Sequence, residues 1–202
     1  RSHVDSLKDQ QREERGRFEI VFAELTAAND VVVIDSPGSD SFLSRLGHAV
    51  ADTIITPMND SFVDFDLLAQ VNPETYELGR PSLYSEMVWE SRKRRVMADG
   101  GTIDWVIMRN RLSSLDAKNK RRVEEGLEAL SQRVGFRVAP GFGERVIFRE
   151  MFPSGLTLLD LRDEKAGGGL SMSHVAARAE VRQLITTLEL PFLDNEQRIA
   201  TA

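Results

Sequence analysis

Val31-Val32-Val33-Ile34-Asp35-Ser36-Pro37-Gly38 is the stretch on which the reading of this chain turns. Four consecutive β-branched residues followed by an acid and three turn formers predict a strand buried on both faces and closed by a turn, the kind of strand that parallel sheets use. On its N-terminal side, Phe18, Val21, Phe22 and Leu25 recur at helical spacing, so Arg12 to Ala28 is expected to be an amphipathic helix that stops at Asn29 and Asp30. Ahead of it, residues 1–17 form a polar and charged stretch.

On the C-terminal side the patterns alternate. Ser41 to Ala51 reads as a short helix and Asp52 to Pro57 as a strand, with Pro57 permitted because the strand has ended. Val63 to Val71 offers a helical face through Phe65, Leu68 and Ala69, and Pro73 begins an irregular stretch that runs past Pro81. Leu83 to Ala98 is helix-like and ends at Gly100-Gly101. Ile103 to Met108 is a strand, Leu115 to Val134 a long charged helix, and Phe136 to Ala139 a short strand leading into Pro140-Gly141. Val146 to Phe152 suits helix or strand, Lys165 to Ser173 is a glycine-rich loop, and Ser173 to Leu188 is a helix starting with a serine cap. Strand alternating with helix is the grammar of a mostly parallel, doubly wound α/β sheet with helices on both faces. One domain over residues 18–190 is expected, with a frayed tail over 191–202.

Composition adds bounds. A chain of 202 residues suffices for one domain with its own core. With 26 basic and 32 acidic residues the formal charge is −6, so any nucleic-acid surface must be local. The absence of cysteine excludes disulfides, thiolate zinc sites and cysteine nucleophiles and suits a cytoplasmic location. No apolar run approaches the roughly 18 residues needed to cross a bilayer, so no membrane association is expected.

The chemistry gathers at Asp35. Ligands of open α/β sheets bind beyond the carboxyl ends of the strands, which puts an acid at a strand tip beside the crevice. Such an aspartate can hold a magnesium ion, usually through a bound water, and a glycine shortly after it lets backbone N–H groups approach a terminal phosphate. Gly38 fits that place. The same four residues, Asp35 to Gly38, are also what an ordinary strand-ending turn requires.

The segment from Val31 to Gly38 resembles the Walker B and switch II region of the ParA/MinD superfamily of deviant P-loop ATPases. Further blocks resemble its division-plane-positioning branch: Ala51-Asp52-Thr53, Thr56-Pro57-Met58-Asn59 through Ala69, Arg80-Pro81-Ser82-Leu83-Tyr84, Arg109-Asn110-Arg111-Leu112, Arg133-Val134-Gly135-Phe136-Arg137, Phe152-Pro153 with Gly155-Leu156-Thr157, and His174-Val175-Ala176-Ala177-Arg178. They occur in the family's order from about Asp30 to Pro191. The resemblance implies Asp35 as the Walker B acid and catalytic magnesium partner, with Pro37 and Gly38 in switch II, where Gly38 senses the terminal phosphate. Asn110 matches the asparagine that hydrogen-bonds adenine, with Arg111 beside it, and Pro140-Gly141 the loop that closes over the base. Asn and Pro at these positions also suit plain strand-end turns.

The resemblance further implies ATP and Mg2+ as ligands and a homodimer formed on ATP binding. It also implies inhibition of the tubulin-like protein FtsZ, a ParB-like centromere protein as localising partner, sequence-independent DNA binding, and a bacterial, nucleoid-associated setting. Lys118, Arg121 and Arg122 share one face of the long helix and are its candidates for phosphate contact, although Glu124, Glu125 and Glu128 follow them and a solvated face is the plain alternative. Arg92 to Arg95 and Arg145 with Arg149 form further basic clusters. The histidines lack ligand-like spacing, Asp60, Asp64 and Asp66 read as a cap and a solvated face, and Trp89 and Trp105 as core or interface residues.

One departure from the family pattern stands out. A P-loop ends in Gly-Lys followed by Ser or Thr, and the nearest approach, Lys165-Ala166-Gly167-Gly168-Gly169-Leu170-Ser171, neither follows a strand nor ends that way. In the family that loop lies upstream of everything seen here. With Arg1 in place of an initiating methionine, the first strands and the P-loop are expected to precede this sequence, which by itself is then not expected to hydrolyse ATP. A non-catalytic interaction module is the alternative.

Overall fold

In a computed structural model the described residues are 3–59, 61–72, 78–112, 117–150, 152–160 and 172–190. They fall into two compact units, one of Arg1–Asp52 and Glu86–Ile103, the other of Thr53–Ser85 and Asp104–Ala202.

The first unit opens with α1 (His3–Ala28), a helix that starts well before the apolar stripe that predicts it. Its polar half contains no proline, and its side chains pair one turn apart. Gln10 Nε2 donates to Glu14 at 2.9 Å, Arg17 bonds Glu13, and Arg15 lies 4.0 Å from Glu19. Pairs of this kind are worth about 0.2–0.5 kcal/mol each, enough to extend a helix that the apolar positions begin. Asn29 Nδ2 closes the end by donating to the Leu25 carbonyl at 2.9 Å.

The strand expected over Val31 to Ile34 is not formed. Val33 is 87% exposed, and Val31 and Ile34 are exposed as well. β-Propensity expresses a fit to a pleated, half-buried surface, and this run has no sheet neighbour among the described residues. The segment lies instead against α2 (Phe42–Val50): a Cβ added at Gly47 would sit 3.2 Å from Ile34 Cγ2 and 3.6 Å from Ser36 Oγ. Ser41 caps α2, its hydroxyl accepting from the Ser44 N–H at 3.1 Å, as serine at this position does.

In the second unit β1 (Thr53–Asn59), β4 (Asp104–Asn110) and β5 (Arg137–Ala139) form a parallel sheet in the order β1-β4-β5. Thr53 pairs with Asp104 and Asn59 with Asn110, while Val106 pairs with Arg137 and Met108 with Ala139. The central strand is the most buried, and the carboxyl ends of all three strands share one edge. This is the parallel α/β architecture that the alternation predicts. β1 runs on through Pro57, which pairs with Met108, so the proline does not end the strand. With a described neighbour on one side only, β1 is an edge, where a missing N–H costs least.

Where the pattern predicts a helix from Val63 to Val71, α3 spans only Phe62–Phe65. The chain turns at Leu67 and Leu68, and Ala69–Val71 becomes β2, antiparallel to β3 (Leu78–Pro81). Hydroxyls from the next helix, α4 (Leu83–Asp99), and from its approach fix the turn. Ser82 bonds the Leu67 carbonyl, and Ser85 Oγ donates to that of Leu68 at 2.7 Å. In the first unit α4 carries Arg95, which donates to the Val50 carbonyl at 3.1 Å and pairs with Asp52 at 2.8 Å and Asp99 at 2.9 Å. Arg92 Nε donates to the Ile103 carbonyl at 3.0 Å. Two members of this basic cluster thus act as structural ties. Trp89, expected in a core or interface, is 55% exposed.

α5 (Ala117–Val134) buries Val123, Leu127 and Leu130, spaced four and three apart as one helical face requires. Trp105 is buried in the same unit, edge-on to Phe136 at 5.3 Å and to Tyr84 at 6.1 Å. Its Nε1–H donates to Thr56 Oγ1 at 2.9 Å, and that hydroxyl lies 2.7 Å from the Tyr84 hydroxyl, whose pKa burial raises above the usual tyrosine value. The ambiguous stretch after residue 145 is helical: α6 (Ile147–Glu150) and a 3-10 turn at Phe152–Ser154. α7 (Met172–Thr187) follows, and Ala177 packs with Ile147 and Leu158. Ser173 lies inside α7 rather than capping it, while the glycine-rich loop over 165–171 and the tail over 191–202 lie outside the described residues. Among the described residues no helix is long and apolar enough to cross a membrane.

Candidate functional site

Parallel strands deliver their carboxyl ends to one edge, so the loops after β4 and β5 must run side by side. Here they are knitted together. The Phe142 N–H donates to the Arg109 carbonyl at 2.9 Å, the Leu112 N–H to the Phe142 carbonyl at 2.9 Å, and the Glu144 N–H to the Leu112 carbonyl at 3.2 Å. Leu112 and Gly143 form a parallel bridge. Four residues singled out from the sequence lie in these joined segments, Asn110 as the last residue of β4 with Arg111 after it, and Pro140 with Gly141 after β5.

Two local features fix this pair of loops. Gly141 is required by space, since a Cβ there would meet the Arg109 carbonyl oxygen at 2.5 Å and Leu112 Cδ1 at 2.7 Å. Arg111 holds a φ of 53°, a left-handed conformation that is costly for a residue with a Cβ. Its N–H donates to Asn110 Oδ1 at 2.9 Å. That bond engages the Asn110 carbonyl oxygen with the backbone, which leaves the donors of its NH2 group for other partners. Arg111 and Pro140 are exposed, whereas Asn110 and Gly141 are half-buried. Beneath them the Arg109 side chain is buried, 3.9 Å from the Glu124 carboxylate. Phe142 stacks edge-on against Phe148 at 5.4 Å, which anchors the second loop from the far side.

Asp35, Pro37 and Gly38 belong to the first unit, and all three are exposed. Nothing lies within 4 Å of a Cβ built at Gly38. The Asp35 carboxylate is an accessible hard oxygen donor of the type Mg2+ takes, although one carboxylate suffices only when phosphate oxygens and water complete the shell. The turn that follows is held by Arg45, whose Nε donates to Asp40 Oδ1 at 2.6 Å. That bond keeps the Asp40 carboxyl below the usual aspartate pKa.

Of the basic residues on α5, Arg121 and Arg122 are exposed, while the side chain of Lys118 lies outside the described residues. In the third cluster Arg145 pairs with Glu180 at 2.8 Å and Arg149 with Glu144 at 3.4 Å. Sequence reasoning passed over Phe142, Gly143 and Glu180. A signal for the first two was present in the alternation Gly141-Phe142-Gly143 directly after a strand. None existed for Glu180, which meets its partner from 35 residues away.

Asp64 belongs to the strand-end edge too, its carboxylate accepting from the Asn59 N–H at 2.7 Å and so closing β1. No curated protein matches the chain. A family model described as ATPase MipZ matches residues 1–192. The match spans the parallel sheet, the joined strand-end loops and the Asp35 turn alike, and the chain belongs to the MipZ family of division-related ATPases.

Proposed function

We propose that this chain serves an ATP-dependent molecular switch that positions the bacterial division plane. In this reading ATP drives a homodimer, the dimer inhibits FtsZ polymerisation, a ParB-like centromere protein localises it, and hydrolysis resets it. The observation that carries the reading is the joining of the segment 109–112, which holds Asn110 and Arg111, to Phe142, Gly143 and Glu144 just after Pro140-Gly141, at the carboxyl ends of neighbouring parallel strands in a chain of a division ATPase family.

The chemistry follows from the side chains. The NH2 of Asn110 donates to a ring nitrogen of adenine, and the Pro140-Gly141 loop covers the base. Gly141, lacking a side chain, lets that loop sit tightly on the Arg109 carbonyl. Asp35 would hold a magnesium ion, and Pro37 with Gly38 forms the exposed turn that would face the terminal phosphate. Mg2+, when bound, neutralises charge developing on the phosphate oxygens. Arg121 and Arg122, with Lys118, contribute phosphate contacts to sequence-independent, salt-sensitive DNA binding.

Turnover of ATP by the complete gene product tests the reading. Asp35→Ala is expected to lower turnover by about 10- to 100-fold, as losing an outer-sphere metal partner does. The exposed position of Asp35 predicts an unchanged unfolding midpoint. A variant that hydrolyses ATP at the parent rate would remove Asp35 from the site.

A further inference from the structure

The loop over 140–144 is tied on one side to the backbone of Arg109 and Leu112 and on the other to α7, and the second tie has no part in the function proposed above. Glu180, on α7, accepts from Arg145 Nη2 at 2.8 Å and from Arg145 Nε at 3.2 Å through Oε1. Its other oxygen, Oε2, takes Arg145 Nε at 3.3 Å and the Gly143 backbone N–H at 3.3 Å. Both oxygens are engaged, in a place where the Glu180 side chain is only 17% exposed and that of Arg145 29%. Charge-assisted, two-pronged bonds of this kind are the stronger and more directional class. The contact is close, since a Cβ at Gly143 would lie 3.3 Å from both Glu180 Oε1 and Arg145 Nε. α7 is itself anchored, with Ala177 fully buried against Ile147 and Leu158.

We infer that Glu180 is a positioning residue for base recognition: it clamps Gly143 and Arg145 to α7, so that the loop carrying Pro140 and Gly141 is held at a fixed distance from Asn110. The inference rests on the reading of these loops as the base site. A fully exposed ion pair would add little, but this one is partly withdrawn from water and also binds a backbone N–H of the loop. Without the carboxylate, the loop keeps its bonds to Arg109 and Leu112 and loses its outer support. Its spacing from Asn110 then varies, and discrimination between bases weakens before phosphate binding does.

The test measures affinities of the complete gene product for ATP, GTP and inorganic tripolyphosphate, together with amide exchange of the nucleotide-free protein. Glu180→Ala is expected to reduce the preference for ATP over GTP by about tenfold, to leave tripolyphosphate binding unchanged, and to speed exchange at Phe142 and Gly143 with β4 unaffected. Glu180→Gln, which keeps one acceptor oxygen in the same shape, is expected to fall between Ala and the parent; if the alanine variant does not fold, it carries the test alone. A parent with no preference for ATP overturns the base-site reading and this inference with it. A parent that prefers ATP, with variants that keep the full preference or show unchanged exchange at Gly143, overturns the inference alone.

Discussion

Gly141→Ala is expected to lose at least about tenfold in affinity for ATP and to destabilise the fold by about 1–3 kcal/mol, the range for forcing extra volume into a packed site. The added methyl would stand 2.5 Å from the Arg109 carbonyl oxygen, 2.7 Å from Leu112 Cδ1 and 2.9 Å from Arg109 Cβ. Leu112 can rotate away, but the carbonyl cannot, because it accepts the Phe142 N–H that joins the two loops. Relief therefore comes by lifting the Pro140-Gly141 segment from the end of β4, which breaks that bond and widens the gap to Asn110. Urea denaturation followed by circular dichroism reads the stability change, and competition against a fluorescent ATP analogue reads the affinity. An alanine variant with parent affinity would mean that the two loops do not act together on a base.

Trp105→Ala is expected to cost about 3–5 kcal/mol, the usual range for removing a large buried aromatic, out of a total that for most domains is about 5–15 kcal/mol. Trp105 is 1% exposed, stacks edge-on against Phe136 and Tyr84, and donates its indole N–H to Thr56 Oγ1. Removing it empties a cavity behind β4 and strips the Thr56 hydroxyl of one partner. Trp105→Phe keeps one aromatic ring in the core and loses the hydrogen bond together with the volume of the second ring, so it is expected to cost less than the alanine variant, about 1–3 kcal/mol. Equal losses for the two variants, measured by the same urea titration, would show that packing at this position matters less than the burial indicates.

The elements whose signal is local were legible in the sequence. The strand read over Ile103 to Met108 and the long charged helix read over Leu115 to Val134 carry their signal within one window, and the structure forms β4 and α5 close to those places. Elements that depend on distant partners were not legible. Val31 to Ile34 has strand chemistry but no described neighbour, and Ala69–Val71 continues a helical pattern until pairing with Leu78–Pro81 and the hydroxyls of Ser82 and Ser85 claim it as a strand. Pro57 misled for a related reason, because a proline ends a strand only where both edges are used.

The candidate site follows the same division. Asn110 and Pro140 could be singled out as candidates because each lies just after a predicted strand, and strand ends are where open α/β sheets bind ligands. The left-handed turn at Arg111 carried no sign, since no glycine marks it. The Arg145–Glu180 clamp was equally silent, because a charged residue on a helix does not announce which of many partners it meets. Arg145 accordingly read as part of a basic cluster, when its charge is spent on a neighbouring helix.

Labelling the complete gene product with an ATP analogue bearing a photoreactive azide on adenine, then mapping the modified peptides, tests the base site most directly. The account predicts label on peptides containing 109–112 or 140–144, competed away by ATP. Label that ATP competes away, but that falls wholly outside both loops, would contradict it.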